Sequence, residues 1–198
     1  MKKMILAATM MIVAMSVSAQ REVGSLTIQP KVGFNGSILY LDDKNVDYQS
    51  FGGFTAGAEL EYRMSKCFAL SAGALYSQEG GKTKIKDLGV TEKANLDFIV
   101  VPVLANFYVW KGLALKIGLQ PSFKINEKYD VPVALKNTKY EFGDAKGFDL
   151  RMPIGISYDF GGLTLELRTC PGLTKAMKDK DFYNSTAQLT VGYKFALK

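Results

Sequence analysis

Residues 148–169 read FDLRMPIGISYDFGGLTLELRT, and few folds accommodate that pattern. Phe148, Leu150, Met152, Ile154, Ile156, Tyr158 and Phe160 alternate with Asp149, Arg151, Pro153, Gly155, Ser157 and Asp159. An extended strand built this way has one wholly apolar face and one mostly polar face. Gly161 and Gly162 turn the chain, and Leu163, Leu165 and Leu167 then repeat the alternation against Thr164, Glu166 and Arg168. The result is an antiparallel hairpin with both apolar faces on the same side. Aromatic residues sit at the ends of that face and aliphatic residues between them. At about 3.3 Å per residue and a tilt of about 45°, the ends lie roughly 25–30 Å apart, the height of the apolar band of a membrane barrel. The hairpin is expected to face lipid.

The first nineteen residues, MKKMILAATMMIVAMSVSA, have the anatomy of a secretory leader: a basic start, an apolar stretch and a small-residue cleavage site before Gln20. Residues 1–19 are therefore expected to be removed, leaving one domain over 20–198. With glutamine after the cut, a cysteine-linked lipid anchor is not expected. No later apolar run reaches the ~18 residues of a membrane-spanning helix, so insertion has to use strands. Strands satisfy their backbone in lipid only when they close on themselves. The formal charge of +6 loses two lysines with the leader. The remainder suits contact with anionic headgroups, or solubility, better than nucleic acid. Cys67 and Cys170 are placed by this arrangement on a rim and several residues up a strand, beyond bridging distance, and are expected to be free thiols.

Taken in order, the alternation predicts eight strands, an all-β up-and-down antiparallel transmembrane barrel. They run over 27–40, 54–64, 68–78, 96–109, 113–124, 148–160, 163–169 and 186–195. Residues 98–104 are apolar on both faces, which makes the fourth the least clearly patterned. A further strand piece is possible at 129–135. Short turns follow the second, fourth and sixth strands; long loops, including a lysine-rich one at 80–93, follow the others. Outer-membrane barrels have this asymmetry, with short turns periplasmic, and both termini are expected on that side. Tyr62, Phe68, Tyr158, Phe160, Tyr193 and Phe195 would form a lower aromatic girdle, and Tyr40, Phe54, Tyr76, Phe123 and Phe148 an upper one. Pro30, Pro102, Pro121 and Pro153 each remove a ladder donor inside a strand, so bulges or broken pairing are expected there.

The chain has no histidine, which removes Ser-His and Cys-His catalysis and the commonest zinc ligand. No phosphate-binding glycine loop or calcium-loop pattern is present, and the paired glycines read as turns. No enzyme activity, metal or cofactor is expected. The inward face carries Lys31, Glu59, Glu61, Arg63, Lys116, Lys124, Asp149, Arg151, Asp159, Glu166, Arg168 and Lys194. An eight-strand barrel is filled by its own side chains, so these charges are expected to pair as a structural network. The polar network singled out is Glu59, Glu61, Arg63, Lys116, Asp149, Arg151, Glu166 and Arg168. The functional alternative is a binding or proton-handling site built on Glu59, Glu61, Arg151, Glu166 and Arg168. Lys82, Lys84 and Lys86 form a loop cluster, either solvated or in contact with lipopolysaccharide phosphates or an acidic partner.

Several segments, in order, resemble the PorT-like outer-membrane β-barrel domain family: KVGFN at 31–35, EYR at 61–63, LYSQEG at 75–80, VPVL at 101–104, GLQP at 118–121 and VGYKF at 191–195. The resemblance implies one small barrel in the bacterial outer membrane, inserted by the barrel-assembly machinery. It carries no assigned biochemical activity, beyond a link of the name-giving member to secretion. The expected role is structural or interactive, through the loops, with outer-membrane lipid, lipopolysaccharide and an envelope protein as partners. The alternative is a narrow pore or small-solute channel.

Overall fold

The computed structural model describes residues 22–40, 47–49, 51–85, 90–130, 146–174 and 183–197, with backbone alone at 38–40, 47–49, 51, 80–85, 90–94, 128–130 and 183–184. The leader, the side chain of Tyr40, Lys86 and the possible strand piece beyond residue 130 lie outside this set. Every described element is a strand: β1 (Leu26–Tyr40), β2 (Asp47–Gln49), β3 (Phe51–Arg63), β4 (Phe68–Ile85), β5 (Val90–Val100), β6 (Val103–Trp110), β7 (Leu113–Asp130), β8 (Phe148–Arg151), β9 (Ile154–Phe160), β10 (Leu163–Pro171), β11 (Tyr183–Tyr193) and β12 (Phe195–Ala196). All ladders are antiparallel, and β1 pairs with β11 and β12 to close the sheet. The segments join end to end into eight staves: β1, β2/β3, β4, β5/β6, β7, β8/β9, β10 and β11/β12. The chain is a closed eight-stranded antiparallel β-barrel.

Two of the four breaks between segments fall at prolines. Pro102 separates β5 from β6, and Pro153 separates β8 from β9. Register is unchanged across both gaps: Val100 opposes Ser122 before the first and Val103 opposes Leu119 after it. The proline carbonyls still accept, from Gly73 N at 3.0 Å for Pro102 and from Gly118 N at 3.1 Å for Pro153. Each proline therefore deletes its own donor and nothing more. Pro121 stays inside β7 opposite Leu150, and Pro30 inside β1 opposite Ala58, with the ladder interrupted on its other side. The two bulges lie elsewhere, at Asp97/Phe98 and at Tyr108/Trp110.

Outside, the staves are apolar. Phe34, Phe54, Leu60, Val103, Leu115, Ile117, Leu119, Leu165, Leu167, Leu189 and Val191 are exposed, which lipid permits and water would penalise. Aromatic pairs mark the band's edges. Phe54–Tyr76 at 5.3 Å and Phe123–Phe148 at 5.5 Å lie toward the loop end; Phe68–Phe107 at 5.2 Å, Tyr158–Phe160 at 4.4 Å and Tyr193–Phe195 at 4.7 Å lie toward the turn end. Tight turns at that end are made by Gly112 and Gly161, both at positive φ, where glycine has no steric cost. Across the adjacent Gly162 lies the ring of Tyr193, occupying the space a Cβ would need.

Two expectations about strand ends are corrected. The lysine-rich stretch 80–93 is mostly ladder: β4 and β5 stay paired from Gly80–Asn95 out to Ile85–Val90, so Lys82 and Lys84 are strand residues, Lys82 opposite Lys93. Similarly, β7 continues to Asp130, and β2 adds pairing at Asp47–Gln49 within what reads as loop. The outer apolar alternation stops where the bilayer stops, but backbone pairing needs no apolar face. At 18 residues each, β4 and β7 exceed the ~9–11 that cross a membrane and project past it at the loop end.

Candidate functional site

The inward side chains stack in three tiers. At the turn end, Lys194, between β11 and β12, donates to both carboxylate oxygens of Glu61 on β3 at 3.1 Å, to Asp159 on β9 at 2.9 Å and to the Tyr108 hydroxyl on β6 at 2.8 Å. Tyr108 donates to Glu61 at 2.7 Å, and Arg63 lies 3.6 Å over the Tyr108 ring while its Nη2 donates to the Lys66 carbonyl. Thr164 donates to Asp159, and Asn106 to Ser71 and Glu61.

The middle tier is purely ionic. Lys31 on β1 contacts Glu59 and Glu166 at 2.9 Å each, and Lys116 on β7 contacts Glu166 at 2.8 Å. Arg168 bridges both carboxylates, at 2.8 Å to Glu59 and through two nitrogens to Glu166. Three cations thus share two carboxylates, with every side chain at most 3% exposed.

Toward the loop end, Arg151 on β8 sits between Glu79 on β4 and Asp149, at 2.7 Å from each. Ser77 donates to Glu79, Asn35 to Ser77, and Thr174 to Asp149. An apolar patch borders this tier. Leu96, Phe98 and Val100 of β5 point inward with Leu75, and the Arg151 guanidinium lies 5.1 Å from the Phe98 ring. That accounts for the two-sided apolar reading of 98–104, since one face meets lipid and the other fills the lumen.

All eight residues of the sequence-predicted network are in the lumen and buried, but they do not meet as one constellation. Glu59, Lys116, Glu166 and Arg168 share the middle tier, Glu61 and Arg63 the turn-end tier, and Asp149 and Arg151 the loop-end tier. Arg151 is bonded to Glu79 and Asp149, not to the middle carboxylates. Sequence reasoning missed Glu79 by ending its strand at residue 78, although the parity of Leu75 and Ser77 points Glu79 inward. It also missed Tyr108 and Asn106, whose parity was hidden by the apolar neighbours Phe107 and Val109. Cys67 and Cys170 are free thiols, the first exposed in a turn and the second buried in the lumen.

Lumens of this kind can conduct, bind or merely fill. Here the middle-tier side chains are shut off from solvent, and the Nζ of both lysines lies against a carboxylate. The arrangement pairs opposite charges and ties staves to one another across the barrel.

The same fold recurs in solved structures. Ail of Yersinia pestis, solved in complex with the heparin analogue sucrose octasulfate, matches with a TM-score of 0.53 at 16% identity, over 88% of this chain and 100% of Ail. OprG of Pseudomonas aeruginosa matches with 0.55 at 12% identity, over 90% and 99%. Neisserial surface protein A matches with 0.53 at 14% identity, over 86% and 97%. A comparison with curated proteins finds no match. The profile of the outer membrane protein β-barrel domain matches residues 18–178, and together with the closed lipid-facing barrel this establishes that the chain belongs to that family of bacterial outer-membrane proteins.

Proposed function

We propose that the protein is a non-enzymatic outer-membrane barrel with a structural or interaction role exercised at its loop end, and that its lumen does not conduct. The carrying observation is the middle tier, where five charged side chains, three cations around two carboxylates, pack against one another at no more than 3% exposure. Opening a path there would strand buried charges, at several kcal/mol per ion. Planar-bilayer recordings of the purified barrel test this: a flat baseline is expected, and unitary steps would establish the rival reading, a narrow pore or small-solute channel.

The projecting strands favour the loop end as the place of contact. Lys82 lies directly opposite Lys93 in the β4–β5 ladder, with Asp130 of β7 on the far side of Lys93, a row with a surplus of positive charge that an anion would offset. Outer-membrane lipid and lipopolysaccharide phosphates are the partners this suits, with an envelope protein as a further candidate. Ail holds a sulfated ligand, so the polyanion class is the one to try first. Replacing Lys82, Lys84 and Lys86 by serine is expected to weaken retention on lipopolysaccharide-containing vesicles, and unchanged retention would remove the cluster from the reading. The order of segments resembling the PorT-like family adds an accessory role in envelope or secretion machinery, following insertion by the barrel-assembly machinery. Cleavage after Ala19 and periplasmic termini complete the proposal. An impermeant maleimide should label Cys67, in a turn, only after cells are permeabilised; labelling of intact cells would invert the orientation.

A further inference from the structure

Closure of the barrel poses a register problem that its outer face cannot solve. Across the seam, β1 presents Pro30, Val32 and Phe34 outward, and β11 presents Ala187, Leu189, Val191 and Tyr193. A slip of one residue would turn the apolar face inward, but a slip of two leaves every apolar side chain in lipid. Packing on the outside is loose at this place. The ladder is interrupted between Ile28–Phe195 and Lys31–Gly192, and a shallow groove of about 330 Å³ runs over the gap, lined by Pro30, Val32, Leu163, Val191 and Tyr193.

Inside, the seam is not degenerate. Lys31 and Lys194 are the charged residues among the described inward positions of β1 and β11/β12; the others are Thr27, Gln29, Gly33, Asn35, Ser37, Thr186, Gln188, Thr190 and Gly192. Three ion pairs reach across the seam from the first two staves to the last two: Lys31–Glu166 at 2.9 Å, Glu59–Arg168 at 2.8 Å and Glu61–Lys194 at 3.1 Å. A two-residue slip moves the staves by roughly 6–7 Å, beyond ion-pair distance. In one direction it also sets Lys194 level with Lys31, placing like charges side by side. We propose that these three ion pairs select the register in which the first and last staves close.

Cysteine cross-linking of the refolded full-length mature chain reads the register directly, in a Cys67→Ser, Cys170→Ser background. Val32 and Val191 are partners, so V32C/V191C reports the native register, while V32C/L189C and V32C/Y193C report the two slips. Scoring is confined to the closed, heat-modifiable band. With native charges only V32C/V191C is expected to cross-link. Neutralising the turn-end tier as E61Q/D159N/K194M is expected to raise a slipped cross-link at least about tenfold, equivalent to roughly 1.4 kcal/mol of register preference. A closed variant that cross-links only through V32C/V191C overturns the proposal. Should that variant fail to close, E59Q/R168Q, which leaves Lys31–Glu166 in place, carries the same two outcomes. Loss of closure in both also overturns it, because a lost register selector leaves a slipped barrel rather than none.

Discussion

The two faces of each stave obey different rules. Outward, Leu163, Leu165 and Leu167 on β10 are interchangeable in kind; inward, Thr164, Glu166 and Arg168 each have a named partner. The outer face needs only to be apolar, because lipid chains conform to whatever shape they meet. The inner face is more demanding, because its charged groups are cut off from water and have to pair with one another. Generic burial thus locates the barrel in the membrane, and specific pairing gives it one structure.

Four substitutions probe that contrast, and urea unfolding of the barrel in detergent or lipid, followed by the heat-modifiable band, measures each. Arg168→Ala should cost the most, about 3–5 kcal/mol, because Glu59 and Glu166 would each lose a buried cation. Leu167→Arg attacks the outer face where Ile156 and Leu189 flank it, and about 2–4 kcal/mol is expected for a cation near the bilayer midplane. A value near zero would mean that this face does not meet lipid. Gly162→Ala should cost about 1 kcal/mol, an ordinary mutational loss, by pushing the Tyr193 ring off the turn. Leu189→Ile keeps volume and polarity on the lipid side and should stay within about 0.5 kcal/mol; a large loss there would mean the outer face is as particular as the inner one.

The same contrast explains what could be read from the chain alone. Period-two alternation reports which side of a stave is apolar, so the barrel, the lumen-facing set and the edges of the band were legible from residues such as Leu163–Arg168 and Ala187–Lys194. The ends of β4 and β7 were not, since Lys82 and Lys128 carry no face signal and pairing beyond the bilayer rests on backbone alone. Nor could the tiers be separated. Glu79 is 72 residues from Arg151, and Lys31 is 135 from Glu166; alternation fixes direction but says nothing about height relative to a distant stave. That information resides in the register of the closed ladder.

The prolines carry a mechanical consequence. Pro102 lies across from Gln120, Pro121 follows it, and Pro153 lies across from Gly118, so three donor deletions fall along four consecutive residues of β7 on neighbouring staves. Away from that line, apart from the gap at Pro30 and the bulges at Asp97/Phe98 and Tyr108/Trp110, the described ladders continue in register. A wall with missing rungs at one height is most compliant there, so forces applied to the projecting ends of β4 and β7 would be taken up as bending along this line, before they reach the ion pairs around Lys194.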